Sequence, residues 1–278
     1  MKLSCWMDDG IVWMMLLLSA ATMAGCQQVV SIDLNKANPH IVIEGNVTDQ
    51  QGPYVVKISK TGNYFEPTLS FPAVTGAAVV VTDDGGQADT LRETEAGTYE
   101  STTLRGIAGR TYALTVVAEG ETYQASSSMP AKVFIDTLYS VYRPSGRGGS
   151  GYDIYITFRD PPEPGNYYRL NATSSRPIPS DSIDGERYRL YTDKLTNGNE
   201  MQERIRAGDN VLVGDTITVD LLAIDQASYD YFNTLRDILQ SDQAATSLAP
   251  ANPNSNISNG SLGYFAAYTV DTRKIVIR

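Results

Sequence analysis

Few side chains in this sequence carry the chemistry of catalysis or metal binding. Among 278 residues there is one histidine, His40, and there are two cysteines, Cys5 and Cys26. That composition leaves no multi-histidine metal site, no cysteine cluster and no nucleophile relay beyond one built on His40 itself. His40 follows Pro39 at what reads as a strand entrance, where a surface or edge role fits better than a catalytic one. Carboxylates are plentiful, but glycoside hydrolysis needs two of them held about 5 to 9.5 Å apart, and no pair is marked out by its spacing. Asp193, Asn197 and Gly198 fall where a calcium loop has positions one, five and six. Leu195 at position three and Arg204 at position twelve break that pattern, so an Asn-Gly turn is expected instead. Asp83-Asp84-Gly85-Gly86 reads as a hairpin turn rather than a metal site. The expectation is a protein with no metal, no cofactor and no enzymatic activity.

Tyrosine is the one abundant group with binding chemistry: there are 17, and Tyr152, Tyr155, Tyr167, Tyr168, Tyr188 and Tyr191 crowd into the second half. Flat rings with a hydroxyl can stack on sugars or cap a partner protein. They are also favoured strand residues, and the neighbours Tyr167 and Tyr168 must face opposite sides, so only one of the two can serve a given site.

Cys26 has a chemistry of its own. Ile11 to Ala24 is an apolar stretch of 14 residues, shorter than the roughly 20 a bilayer span needs. It ends in small residues, as a secretory signal peptide does at its processing site. Met23-Ala24-Gly25-Cys26 resembles the bacterial lipobox, in which the Cys26 thiol receives diacylglycerol and becomes the new N-terminus. Residues 1–25 are therefore expected to be a lipoprotein signal peptide, although Asp8 and Asp9 lie where a basic leader is usual and only Lys2 supplies positive charge. Two or three acyl chains make a lasting anchor, each buried methylene adding about 0.8 kcal/mol.

Residues 26–39 are polar and end in Asn-Pro, a tether before the first folded segment. From His40 to Pro130 apolar residues alternate: Ile41, Ile43 and Val47, then Tyr54, Val56 and Ile58, then Ala77, Val79 and Val81, then Tyr112, Leu114, Val116 and Ala118, then Tyr123 and Ala125. With turn residues between them, about seven strands of an immunoglobulin-like β-sandwich are expected over 40–130. Gly109-Arg110-Thr111-Tyr112 has the form of a tyrosine corner. A second, β-rich domain is expected over 134–278, with strands near Phe134 to Tyr142, Tyr152 to Phe158, Tyr167 to Thr173, Arg187 to Thr192 and Thr216 to Ile224. Asp225 is a candidate N-cap, and Tyr231, Leu235, Ile238 and Leu239 recur at helical spacing, which predicts one amphipathic helix to about Gln240. A long loop over 241–261 and a closing hairpin, Gly263 to Val270 with Arg273 to Ile277, complete the reading.

Ile41-Val42-Ile43-Glu44-Gly45, Val74-Thr75-Gly76-Ala77, Gly97-Thr98-Tyr99, Phe158-Arg159-Asp160-Pro161-Pro162 with Asn166-Tyr167-Tyr168, and Gly214-Asp215-Thr216 follow one another in order, and Asn256 to Phe265 closes the series. In these landmarks the mature chain resembles the Bacteroidota lipoproteins catalogued as domain of unknown function 4249. The resemblance implies an outer-membrane lipoprotein, surface-exposed or periplasmic, of a kind often encoded beside TonB-dependent transporters. It brings no substrate and no catalytic residue. If the phylum is right, Asp89-Thr90-Leu91, Asp136-Thr137-Leu138, Asp181-Ser182-Ile183 and Asp215-Thr216-Ile217 also resemble its O-glycosylation pattern.

Thirty-two acidic residues against 22 basic give a net charge of −10, so a nucleic-acid partner is set aside. The expected partners are the outer membrane, through lipidated Cys26, and a TonB-dependent receptor; a stand-alone glycan or peptide binding module is the alternative. The segment 254–268 is the expected partner surface, through Asn256, Asn259 and Tyr264. It is expected to cross the open end of the second domain and bury Phe265 against the helix, with Tyr264 either exposed or part of the packing.

Overall fold

The computed structural model describes residues 39–62, 71–146, 149–176, 188–206, 211–243 and 252–278, within a compact unit spanning Pro39–Arg278. It is mainly β. The first eight strands are β1 (Ile41–Thr48), β2 (Val55–Lys60), β3 (Ala78–Asp83), β4 (Ala88–Thr90), β5 (Arg92–Glu95), β6 (Thr98–Glu100), β7 (Thr111–Ala118) and β8 (Glu121–Ser128). Then come β9 (Ile135–Gly146), β10 (Gly149–Arg159), β11 (Tyr167–Ser174), β12 (Tyr188–Thr192), β13 (Glu200–Arg206), β14 (Thr216–Ile224), the helix α1 (Gln226–Gln243) and β15 (Leu262–Val276).

Strands β4-β3-β7-β8 form one sheet and β13-β10-β9 another, and both lie on a long third sheet ordered β12-β11-β14-β15-β1-β2-β6-β5. Alternation decides what each strand buries. In the N-terminal sandwich Ile43, Val56, Ile58 and Tyr99 meet Val79, Tyr112, Leu114 and Val116 in one core. This is the immunoglobulin-like half. The Tyr112 hydroxyl accepts from the Ile107 amide at 2.7 Å, which is the tyrosine corner the sequence announced. In the second core Ile154, Ile156 and Phe158 face Tyr168, Leu170, Val219 and Leu221.

The closing hairpin is not formed. Leu262 to Val276 is one strand of 15 residues, and its run from Thr269 to Val276 stays extended because every residue of it is paired with β14. Its first half pairs in parallel with β1, from Val42↔Leu262 to Thr48↔Tyr268, and its second half pairs antiparallel with β14. At Gly263 a Cβ would lie 2.0 Å from the Ile43 carbonyl oxygen, and φ is +93°, so this close approach of two backbones needs glycine twice over.

The two cores fall on either side of residues 130–134, where a domain boundary is expected, yet the chain does not part there. Phe265 and Ala267 of β15 are wholly buried in the N-terminal core rather than against the helix. Polar contacts of Asp49 cross the same line, and one of Asp271 fixes the start of the strand that follows it. Lys132 pairs with Asp49 at 2.9 Å, the Asp49 carboxylate accepts from the Val270 amide, and Asp271 accepts from the Ile135 amide at 3.0 Å. Burial would raise Asp49, but its bonds to Lys132, Val270 and Gln50 outweigh that and hold its carboxyl below the ordinary value.

Candidate functional site

The outer face of the long sheet carries a third apolar cluster, roofed by α1. Asp225 caps the helix as its sequence position suggests, its carboxylate accepting from the Ser228 amide at 2.9 Å. The second carboxylate oxygen takes the Ser127 hydroxyl at 2.7 Å and the Ser128 amide at 3.1 Å, so the start of the helix is pinned to the end of β8. Ser127, itself buried, also accepts from the Ala267 amide at 2.8 Å. With its N-terminus fixed, α1 lays Tyr231, Phe232 and Leu235 onto Leu190 of β12, Leu222 and Ile224 of β14, and Tyr264, Tyr268 and Val270 of β15.

One charge lies in this aromatic bed. Arg169 stands on β11 between Leu190 of β12 and Leu222 of β14. Its guanidinium carbon is 4.1 Å from the centre of the Phe232 ring and 4.3 Å from that of Tyr188. Those two rings are edge-to-face, 5.6 Å apart, so the cation occupies the corner between them. The Tyr188 hydroxyl donates to the Phe232 carbonyl at 3.1 Å and ties the edge strand to the helix. Tyr264 extends the wall, 4.8 Å from Tyr231 and 4.9 Å from Phe232. Burial lowers the Arg169 pKa from its ordinary value, while Tyr264, Tyr268 and Tyr188 act in the opposite sense. Burial likewise pushes Tyr264 up to about 12, so it is a neutral hydroxyl at physiological pH.

The expected partner surface is dispersed. Asn256 turns inward, its amide accepting from the Phe265 amide at 3.0 Å and donating to the Phe265 carbonyl at 2.7 Å. In effect it pairs with β15 as a short strand would. Asn259 is exposed in left-handed backbone and donates to Glu121 on β8 at 3.2 Å. Tyr264 belongs to the aromatic wall, because neighbours on a strand point to opposite faces and Phe265 takes the core. Cys26 lies outside the described residues, as does Asp181-Ser182-Ile183. Of the other Asp-hydroxyl-apolar triplets, Thr90 and Thr137 are exposed, while Asp89 and Asp215 are buried.

The carboxylates near the loops accept from main-chain amides and from one tyrosine hydroxyl. Asp160 accepts from the Tyr168 hydroxyl and from the Gly198 amide, the latter at 2.9 Å. Asp193 accepts from the Gly165 and Asn166 amides at 2.7 and 3.0 Å. The two acids brace the Pro161–Gly165 turn against the Asn197-Gly198 turn, and Leu195 between them is 97% exposed. That is the geometry of a loop clasp, and the described residues contain no group of three or more His, Cys, Asp or Glu placed to hold a metal ion. A recess of about 470 Å³ opens beside it, lined by Ser128, Val133, Asn166, Tyr167, Asp225 and others, but the Asp225 carboxylate there is already spent on Ser127, Ser128 and Ser228. On the outer side of the three-stranded sheet, Tyr139 and Tyr155 stack at 5.2 Å with rings 10° from parallel, and Gln202 donates to the Tyr139 hydroxyl at 2.6 Å.

The sequence reading overlooked Arg169 altogether. The available signal was a lone cation inside the strand Tyr167-Tyr168-Arg169-Leu170, a place where a charge is rare unless something holds it.

An eight-stranded sheet shared by two sandwiches, with a helix and a cation on its outer face, defines a β-rich two-core protein of immunoglobulin-like type. Residues 27–274 match the family described as Domain of unknown function (DUF4249), and the chain belongs to it. No curated protein matches the sequence. Among solved structures, a two fibronectin type-III domain segment from chicken tenascin is similar at 11% identity and a TM-score of 0.21, over 68% of this chain and 92% of that one.

Proposed function

We propose that the protein is an outer-membrane lipoprotein, anchored through Cys26, whose β body serves as a non-enzymatic accessory or binding subunit of a TonB-dependent transporter. The observation that carries the reading is Met23-Ala24-Gly25-Cys26 directly ahead of residue 27, where the family match begins. The tether, residues 26–39, is 14 residues long and extends to at most about 50 Å, so the body can stand clear of the lipid. The non-enzymatic reading is supported by Asp89, Asp160 and Asp225, whose oxygens are taken up by main-chain and hydroxyl donors. The stacked Tyr139 and Tyr155 support a second reading, a stand-alone module that binds glycans or peptides on the cell surface.

Two experiments separate these readings. Cys26→Ser removes the thiol that would carry lipid, and a variant that stays in the membrane pellet after a carbonate wash would refute anchoring through Cys26. A pull-down from detergent-solubilised outer membranes should return a stoichiometric barrel partner. Its absence, together with binding on a glycan array, favours the stand-alone module.

A further inference from the structure

We propose that Arg169 is the receptor for a ligand carboxylate, held in the corner between Phe232 and Tyr188 with Tyr264 and Tyr268 beside it. The proposal rests on the reading of the body as a binding subunit but not on the identity of its transporter. It begins from the donors left over on a half-buried cation. A guanidinium offers five N–H groups. Nε donates to Asn171 Oδ1 at 3.1 Å, and no described residue bonds either terminal nitrogen. No described carboxylate lies within 4.0 Å of Arg169 to form an ion pair.

A cation so placed is partly stripped of water, and aromatic faces recover only part of that loss. Nearby charge does not recover the rest, since the groups acting on Arg169 are the phenols of Tyr264, Tyr268 and Tyr188. Glu44, the acid beside Tyr264 on β1, acts on Tyr264 and Tyr231 but not on Arg169. The two terminal nitrogens form the fork that matches a carboxylate with two parallel hydrogen bonds. Around that fork the walls are aromatic, so the favoured ligand joins its carboxylate to an apolar or ring-shaped body. The end of a peptide and an acidic sugar both meet that description, and the chemistry they share is the carboxylate.

The test is calorimetric titration of the full chain in detergent with N-acetylphenylalanine, its amide, glucuronate and glucose. Saturable binding of an acid, at least about tenfold tighter than its neutral counterpart, is expected. Stronger binding of N-acetylphenylalanine marks a peptide end as the source, and stronger binding of glucuronate marks an acidic sugar; either outcome supports the site. Arg169→Met should abolish binding. Arg169→Lys keeps the charge but loses the fork, and should weaken binding at least about tenfold with the circular dichroism spectrum unchanged. If Arg169→Met does not fold, Arg169→Lys decides. Equal binding of acid and amide, no acid binding tighter than about 10 mM, or unchanged affinity in Arg169→Lys would overturn the proposal. Loss of the barrel partner with carboxylate binding intact defeats only the transporter assignment.

Discussion

Phe265→Ala tests whether β15 makes one folding unit of the two sandwiches. Phe265 is wholly buried in the N-terminal core, where the nearest ring atom comes within 3.3 Å of the place a Cβ on Gly45 would occupy. Truncating a buried Phe to Ala costs about 3–5 kcal/mol, the larger figure where the site cannot collapse. Here the backbone of residue 265 is held on one side by β1 and on the other by the Asn256 amide, so collapse is restricted and about 4 kcal/mol is expected. Pro39–Arg278 is 240 residues, and an unfolding entropy of about 2.1 cal/mol/K per residue gives roughly 0.5 kcal/mol/K for the whole unit. The melting temperature should then fall by about 8 °C if both sandwiches unfold together. Differential scanning calorimetry reads both quantities. A single transition in wild type and variant, shifted by that amount, is the expected result. Two transitions, with only the lower one moved by the substitution, would show that the shared strand does not couple the cores.

Gly263→Ala should be at least as damaging as Phe265→Ala, because a methyl at that position meets the Ile43 carbonyl oxygen at 2.0 Å and the backbone is left-handed; urea unfolding is the measurement. Burial would raise Asp89, but the Thr103, Leu104 and Thr102 amides prevail and hold its carboxyl below 3.8. Its stabilisation is therefore present above 3.8 and lost as pH falls through the lower folded value, and Asp89→Asn should flatten the acid limb of the stability–pH profile and lower stability at pH 7. Asp225→Ala removes the helix cap and the tie to Ser127, a loss of about 1–2 kcal/mol, and should raise amide exchange in the first turn of α1 before any other described segment.

Strands that bury one face were legible because their apolar residues alternate, as in β1, β7 and β14. The helix was legible from its cap and spacing. β13 was not, because five of the residues in Glu-Met-Gln-Glu-Arg-Ile-Arg are polar or charged and the two apolar ones, Met201 and Ile205, stand four apart, a helical interval. It is an edge strand, and charge on an edge discourages pairing with other chains. The short strands β4, β5 and β6 carry too few residues to show a period. The joining of the two sandwiches was hidden for a different reason. Parallel pairing of β1 with β15 depends on residues some 220 positions apart, and alternation within a strand says which face is apolar but not which strand lies alongside. Arg169 belongs to the same class: its aromatic corner is assembled from β12 and α1, and neither is adjacent to it in sequence.

The alternation of β15 links the core to the proposed site. Phe265 and Ala267 enter the N-terminal core, whereas Tyr264 and Tyr268, one residue out of phase, line the floor beneath α1. The floor therefore stands on strands braced from behind by packed core, and a carboxylate arriving at Arg169 need not order a loop before it binds, which keeps the entropic cost of association low. The wall is held differently. Phe232 comes from α1, whose first turn is fixed by Asp225 while Leu239 in its later turns is 53% exposed. Docking of the helix and affinity for the ligand are then linked through one ring: Phe232→Ala should loosen α1 and weaken acid binding together, whereas Leu239→Ala, which leaves the corner intact, should change neither.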